Sequence, residues 1–480
     1  MKNCFDRTPH TMKDWLLLAA GVAAVFAAAD WLPGVLRGAG AFLGLLAPFG
    51  WGLLLAYVLD IPTRFFAQKL FGGRRGGAMA VSYALFFGAL ALLAAGGFAG
   101  VRAAAILAAN VGGFAQAADD ALNSQDICGP TAIPTCSIGV ADSQKIREKL
   151  ENGPVVGTLI VDNEVEIGTG VTYNIMGKIR GKSSDYQILV GGHYDMHFFG
   201  FQDDNCAVGL VLAMAKAMKD SGYQPENDIV FCLHGAEEWG ASYSQFDWTV
   251  GAWEMINHVH PEWVGKTLAF INFELPAYEF DTYTTTYSAP EMFAMLDYFA
   301  NDYAYSPEPE GCFADGVLTE GYQTYTYSDD FSYYAAGVPS TVNGFLLQKD
   351  METVFPFYID YYHTQYDTPD TYNEAVMRFN IAYYGALAMY IDQMPAADLD
   401  FTAQTARLTA AMDKDVMAQA GADVEAYQAA LAELDEAATA MRAKVVEVNC
   451  AYEAAREAGD EAAMAQLRET GRTLTSRNLE

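Results

Sequence analysis

Basic residues and paired cysteines are scarce in this chain. The 480 residues contain 28 Lys and Arg against 60 Asp and Glu, a formal net charge of −32. Nucleic-acid binding requires basic surface that displaces counterions, so no nucleic acid is expected as a partner. The seven cysteines include no Cys-x-x-Cys pair, which excludes zinc ribbons and thioredoxin-type redox motifs. Cys128 and Cys136 either pair, if their segment lies outside the cell, or remain free thiols.

The basic residues that are present concentrate near the N-terminus. Residues 1–117 carry nine Lys and Arg against four Asp and Glu, whereas the remaining residues carry 19 against 56. Three apolar stretches, at 15–36, 39–59 and 76–101, each approach the roughly 20 residues that a helix needs to cross a bilayer. Because positive charge marks the cytoplasmic side, the basic segment 60–77 predicts three crossings, with everything after about residue 118 outside the cytoplasm.

Two segments of this apolar region resemble a known membrane family. APFGWGLLLAYVLDIPTRFF (47–66) and RRGGAMAVSYALFF (74–87) resemble the start of the autoinducer-2 exporter (PerM-like) family. That family has several further spans and none follows here, so we do not expect a complete transporter. The region is expected to be either a membrane anchor or a foreign start joined by gene assembly. In the second case the rest of the chain is expected to be secreted or at the cell surface.

The remainder of the chain has an α/β pattern. Four apolar runs bounded by polar or glycine residues read as strands, at Val171–Ile179, Gln187–Gly191, Asp228–Leu233 and Thr267–Phe273. An apolar helical run, Ala207–Ser221, separates the second strand from the third. This order predicts an α/β fold with a mixed, largely parallel sheet flanked by helices. Transmembrane helices are expected before this sheet and a helical tail after it.

Polar residues follow these strands at the edge where parallel sheets bind ligands. The candidates for metal ligation are two histidines and three carboxylates, namely His193, Asp203, Glu238, Glu274 and His363. Imidazole and carboxylate suit zinc, manganese or cobalt. With Asp203 as a bridge and one histidine and one glutamate for each ion, the set fits a site for two metals. Each piece alone also fits a turn or a helix cap, and the combination is what favours metal.

The adjacent residues Glu237 and Glu238 are predicted to have different roles, since neighbouring residues that leave a strand point in different directions. Glu238 is predicted to bind metal, and Glu237 to take a proton from water and pass it to a leaving amine. Histidines that bind metal usually have a partner on the other ring nitrogen. Asp195 and Asp367 are predicted to orient His193 and His363 in this way.

The motifs together resemble the di-zinc exopeptidase family of aminopeptidase Y and the bacterial leucyl aminopeptidases, over about residues 171–395. They are GGHYD, the paired aspartates, GAEEWG, INFEL and HTQYDT, in the family's order. The resemblance implies two zinc ions held by the five ligands above, peptidase activity on amino-terminal residues, and a catalytic role for Glu237 assisted by Asp195. It also implies a cis peptide bond between Asp203 and Asp204.

Four positions depart from the family's pattern. QDDNCAVG (202–209) places Asn205 and Cys206 where the family has small residues, and Cys206 is expected to be a packed residue. Asp330, in SDDFSYYAAGVPS, replaces a usual histidine. Glu274 stands where many of these aminopeptidases carry aspartate, which leaves the terminal preference open.

These readings divide the chain into four parts: a membrane segment (1–117), a linker with a remnant of a protease-associated domain (118–170), a catalytic domain (171–395) and a helical extension (396–480). IPTCSIGVADSQKIREKLENG (133–153) resembles the end of a protease-associated domain. Apolar residues from 424 to 452 recur at spacings of three and four. This pattern predicts a helix that either packs back on a neighbour or forms the seam of a homodimer.

The function expected from the sequence is a zinc-dependent aminopeptidase acting on peptides. One alternative is a membrane transport or scaffold protein with an inactive peptidase-like domain. Another is a carboxypeptidase or glutaminyl cyclase with the same fold. The intact ligand set favours the first reading.

Overall fold

The computed structural model describes residues 105–110, 115–124, 133–162, 170–239, 248–319, 328–345 and 356–479, with isolated residues at 63, 64, 68, 69, 79, 81 and 326. The chain divides into two units, Met1–Ala104 and Ala105–Glu480. The three predicted membrane spans lie outside the described residues, apart from positions 79 and 81. No helix within the described part of the chain is long and apolar enough to cross a bilayer. Cys136 is a free thiol, whereas Cys128 lies outside the described residues.

The described strands form two sheets. A small parallel pair consists of β1 (Ile106–Ala108) and β2 (Thr135–Ser137). The main sheet has the spatial order β3-β5-β4-β6-β9-β7-β8. Its strands are β3 (Ile175–Ile179), β4 (Gln187–His193), β5 (Asp228–His234), β6 (Thr267–Asn272), β7 (Tyr283–Ser288), β8 (Gly316–Leu318) and β9 (Ser340–Asn343).

Four neighbouring strands at the centre of the main sheet, β5, β4, β6 and β9, run parallel. β3 is antiparallel to β5 at one side, and β7 is antiparallel to β9 at the other. The predicted strands are therefore present in a mixed, largely parallel sheet. The first strand begins at Ile175 rather than at Val171, and the other three differ from their predicted ends by no more than two residues.

Helices flank the main sheet and extend from its end. In chain order they are α1 (Val140–Glu151), α2 (Cys206–Ser221), α3 (Val250–Glu254), α4 (Phe293–Asn301), α5 (Asp329–Ala335), α6 (Pro356–Asp360), α7 (Glu374–Gln393), α8 (Thr402–Ala411), α9 (Lys414–Gln419), α10 (Val424–Ala458) and α11 (Glu461–Leu479).

Alternate residues of the central strands face two separate hydrophobic clusters. Ile188 and Val190 of β4 pack with residues of α2, α4 and α7 on one face. Leu189, between them, packs on the other face with residues of α3 and α5. Because successive strand side chains point to opposite faces, this alternation shows that the sheet is covered by helices on both sides, as parallel sheets usually are.

The C-terminal helices pack against each other and against the end of the main domain. Val445 and Val448 of α10 form a small core with Leu474 of α11 and with Ala396. The residues of the predicted apolar seam thus face a neighbouring helix in this half of α10. Leu434, earlier in the same helix, is exposed. The homodimer remains a prediction.

The buried carboxylate of Asp392, in α7, binds residues that lie just before the start of β5. Asp392 accepts hydrogen bonds from the Tyr223 hydroxyl at 2.6 Å and from the backbone N–H groups of Glu226 and Asn227 at 2.9 and 2.8 Å. Its side chain is fully buried. Since buried carboxylates are tolerated when hydrogen bonds satisfy them, this contact fixes where β5 starts relative to the helix layer.

Replacing this carboxylate is expected to destabilise the fold. In Asp392→Ala, one buried donor and two half-buried donors lose their acceptor, at up to about 1–3 kcal/mol for each unsatisfied group. We expect urea denaturation to show a loss of about 3 kcal/mol in the free energy of unfolding. Asp302→Ala, at an exposed position, is the control. Equal stability of the two variants would contradict a structural role for Asp392.

Candidate metal and catalytic site

The predicted ligands come from loops that leave the same edge of the sheet. β4 ends at His193, which pairs in register with His234 at the end of β5. Glu274 follows β6, which runs parallel to β4. Neighbouring parallel strands therefore carry the first histidine, the Glu237-Glu238 pair and Glu274 to one place.

Asp203 lies between the two histidines. Its Oδ1 is 3.2 Å from His193 Nε2, and its Oδ2 is 3.0 Å from His363 Nε2. The Asp203–Asp204 peptide bond is cis, which confirms that prediction. One carboxylate thus presents one oxygen to each imidazole, which is the arrangement expected of a bridging ligand.

The adjacent glutamates point to different histidines. Glu237 Oε2 is 3.9 Å from His193 Nε2, whereas Glu238 Oε1 is 3.3 Å from His363 Nε2. Ala236, directly before them, has a φ of 58°. Such left-handed backbone is uncommon outside glycine and costs about 1–3 kcal/mol. The tight turn separates the two carboxylates that the sequence places side by side.

Glu274 lies on the His193 side of the cluster. Its Oε2 is 3.7 Å from His193 Nε2, and its other oxygen accepts a short hydrogen bond from the Ser328 hydroxyl. Asn343, from β9, accepts from the Glu274 N–H and donates to the Glu274 carbonyl, both at 2.8 Å. Backbone and side chain of Glu274 are therefore both held in place.

The two aspartates that were predicted to orient the histidine rings mainly accept hydrogen bonds from backbone N–H groups. Asp195 accepts from the N–H groups of Glu237 and Glu238 at 2.9 and 3.1 Å, and its own carbonyl lies 3.0 Å from His193 Nδ1. Asp367 accepts from the N–H of Asp203 at 3.1 Å. The prediction that Asp367 orients the ring of His363 is wrong, since Nδ1 of that ring has no hydrogen-bond partner among the described residues.

Asp204 connects two strand ends below the ligands. Its Oδ2 accepts from the His193 N–H and its Oδ1 from the Leu275 N–H, both at 3.3 Å. Gly192 leaves room for this carboxylate, because a Cβ there would lie 3.0 Å from Asp204 Oδ2 and 2.9 Å from the Ala207 Cβ. Gly192, the second glycine of GGHYD, is therefore required by close packing.

The loop of His363 is held by a segment that lies about 240 residues earlier in the chain. Ser124 donates its N–H to the His363 carbonyl at 3.1 Å, and Asn123 forms a β-bridge with Thr364. Tyr366 donates its hydroxyl to Asp120 at 2.6 Å. His363 itself has a φ of 55°. Residues 115–124 therefore fix a strained loop that carries one of the predicted ligands, a role that no sequence motif indicates.

The departures from the family's pattern are accommodated by packing. Cys206 is buried at the start of α2 and belongs to none of the candidate metal groups among the described residues. Asn205 donates to the Gly200 carbonyl at 2.9 Å and so closes the turn that carries Asp203. Asp330 is buried, and burial together with Glu274 raises its pKa well above the usual value.

His197 is a residue of the site that the sequence reading missed. Its Nε2 is 3.1 Å from Glu238 Oε2. The described residues offer three groups of metal-ligating atoms: His193 with Asp203 and Glu274, His197 with Glu238 and His363, and His193 with Glu237 and Glu238. The signal for His197 is its spacing in HYDMH, four residues after His193, but histidines at that spacing are read as metal ligands only on a helix.

Negative charge is crowded at this site. Burial raises the pKa of Glu274 to about 7, and burial with nearby Glu274 and Glu238 raises that of Glu237 well above its usual value. Burial opposes ionisation of Asp203 too, but the close imidazoles of His193 and His363 outweigh it and lower its pKa.

The donor atoms fit a bound cation. A carbonyl can only accept, so the Asp195 carbonyl places a hydrogen of His193 on Nδ1, and Nε2, which faces the carboxylates, is the ring nitrogen available to bind a cation. His193 Nε2 and Glu238 Oε1 are buried without hydrogen-bond partners in the described part of the chain. A site of imidazole nitrogens and carboxylate oxygens with no thiolate is suited to zinc.

The fold and the site together define a candidate metal centre at the carboxyl edge of a mixed sheet. Residues 174–385 match the model of peptidase family M28, and this part of the chain is a peptidase M28 domain. The aminopeptidase-family resemblance of the sequence is thereby confirmed at the level of the domain.

Individual relatives match parts of the chain. A probable leucine aminopeptidase 2 of Aspergillus fumigatus is 27% identical over 146 residues, which cover 30% of this chain and 27% of the relative. A glutamate carboxypeptidase 2 homolog of Caenorhabditis briggsae is 33% identical over 98 residues, or 19% and 13% of the two chains. The matches thus span less than a third of each curated relative. The crystal structure of a peptidase M28 precursor from Shewanella amazonensis aligns with 23% identity and a TM-score of 0.42, over 60% of each chain.

Proposed function

We propose that this M28 domain is a zinc-dependent aminopeptidase that binds two ions and hydrolyses the amino-terminal peptide bond of peptides. The observation that carries the proposal is the position of Asp203, with one carboxylate oxygen facing His193 and the other facing His363. His193, Asp203 and Glu274 would hold one ion. Asp203, Glu238 and His363 would hold the second.

The chain's own residues supply the proton transfers. Zinc, when bound, polarises a carbonyl oxygen and lowers the pKa of water towards about 7. Glu237 is buried beside His193 and is not one of the ligands assigned above to the two ions, so its carboxylate is the group placed to take a proton from water. The same carboxyl group then gives that proton to the departing amine. Asp195 accepts the N–H of Glu237 and so holds the backbone that carries this carboxylate.

The described contacts of the site support a substrate with a free amino group. They involve carboxylates, imidazoles, amides and hydroxyls, and no Lys or Arg takes part in them. The carboxylate of a carboxypeptidase substrate would find no cationic side chain among these contacts, whereas the ammonium group of an aminopeptidase substrate would find carboxylate acceptors.

The proposed terminal preference is tested by blocking each end of a peptide. The zinc-loaded protein is expected to hydrolyse an aminoacyl-anilide and a peptide with a free amino terminus, and to lose activity when that terminus is acetylated. Amidation of the carboxyl terminus is expected to change little. The opposite pattern in a chromatographic assay of products would indicate a carboxypeptidase, and no hydrolysis of any substrate would contradict a peptidase.

Metal content tests the two-ion arrangement. Asp203→Ala removes the shared carboxylate, so the occupancy of both ions should fall. His363→Ala removes a ligand from one position and should lower mainly that occupancy. Elemental analysis after dialysis measures both. Two fully retained ions in Asp203→Ala would show that Asp203 is not the bridge.

The adjacent glutamates provide a matched pair for testing the chemistry. Glu237→Gln keeps the size of the side chain but cannot accept a proton. Since general-base catalysis typically contributes about 10²–10⁴-fold, turnover should fall by at least about 10²-fold while zinc stays bound. Glu238→Gln should weaken zinc binding, and added zinc should partly restore its turnover. If Glu237→Gln were the variant that lost zinc, the two roles would be reversed.

A further inference from the structure

We infer that His197 is a fourth protein ligand at the ion position of Glu238 and His363. This position would bind its ion more tightly than the other, because protein ligands would fill its coordination shell. The inference rests on the proposed function for the presence of two ions. It adds a ligand that the recognised motifs do not contain, and it assigns different roles to the two ions.

The distances around Glu238 are those of ligands on one ion. Glu238 places Oε2 3.1 Å from His197 Nε2 and Oε1 3.3 Å from His363 Nε2. The rings of His197 and His363 lie 4.3 Å apart and are tilted by 44°. Two ligands about 2.1 Å from a shared zinc in tetrahedral geometry lie roughly 3.4 Å from each other. One ligand atom from each of His197, Glu238 and His363 lies within 4.8 Å of the other two, so the three residues are close enough to share one ion.

The surroundings of these three residues indicate a shared cation. Oε1 of Glu238 is buried, with no hydrogen-bond partner among the described residues. The side chain of His363 is almost fully buried, whereas that of His197 is 21% exposed. His197 thus approaches from the open side, and Phe198 after it has a left-handed φ of 52° that turns the chain there.

The two ion positions differ in their number of protein ligands. Asp203, Glu238, His363 and His197 make four protein ligands, as in closed structural zinc sites, whereas His193, Asp203 and Glu274 make three, as in catalytic sites with an open position. Glu237, the proposed base, lies beside His193 and therefore beside the three-ligand position. The four-ligand ion would accordingly be structural in character and would load first.

Metal titration of the metal-free protein tests this assignment without substrate. Calorimetry with Zn²⁺ should show two phases for the wild type. In His197→Ala the tighter phase should weaken by at least about 10-fold, as when groups that support a metal are lost, and the weaker phase should change little. His258→Ala, at an exposed histidine, should behave like the wild type. Circular dichroism and thermal melting establish that all variants fold.

A second variant distinguishes ligation from a hydrogen bond that merely orients Glu238. His197→Gln retains a donor for Glu238 but supplies a poor zinc ligand. Under our assignment it binds zinc as weakly as His197→Ala, and the absorption of the first equivalent of Co²⁺ changes in both variants. Wild-type affinity in His197→Gln would overturn the assignment, as would unchanged affinity in His197→Ala. Two-phase binding with loss of one phase in these variants, but no hydrolysis of any peptide, would overturn the proposed function and leave the ligand assignment standing.

Discussion

The structure of the site depends on one carboxylate that serves two imidazoles. Asp203 lies 3.2 Å from His193 and 3.0 Å from His363, on opposite oxygens. Its neighbours Glu237 and Glu274 are also buried and acidic. Uncompensated carboxylates in a low-dielectric interior are costly. Divalent cations at this point would compensate them, so the constraint that shapes the fold here is also the source of the proposed chemistry.

A cluster of buried carboxylates stays in place only if other residues fix the backbone of the loops that carry it. Asp195, Asp204 and Asp367 each use both carboxylate oxygens to accept backbone N–H groups of the loops that carry the ligands. Backbone N–H groups in tight loops have few other partners, and an acceptor with two oxygens fixes two of them at once. The left-handed residue Ala236 precedes the two N–H groups that Asp195 accepts, whereas the left-handed His363 is held by Ser124 and Asn123.

The sequence allowed much of this to be predicted, for a physical reason. Parallel strands bring residues that follow them to one edge, so strand assignments of moderate accuracy sufficed to group His193, Glu238 and Glu274. Asp203 and His363 complete the set through their residue types, and the family's motif order supports both. The features that were not predicted depend on contacts that form only in the folded chain and leave no motif in the sequence. His197 approaches Glu238 through a turn whose shape no residue type dictates. Asp367 was expected to hold a ring and instead holds the N–H of Asp203.

Contacts across the domain extend the functional unit beyond the M28 match at 174–385. On one side, residues 115–124 hold the loop of His363 through Ser124 and Asn123. On the other, Thr475 of α11 accepts from the Ala397 N–H, and a Cβ at Gly471 would lie 2.1 Å from the Pro395 carbonyl oxygen. Composition changes near residues 118 and 396, whereas these contacts continue through both points. Since the position of a metal ligand depends on the earlier segment, a fragment limited to residues 174–385 would retain the ligands of the His193 position but lose the contacts of Ser124 and Asn123 that place His363.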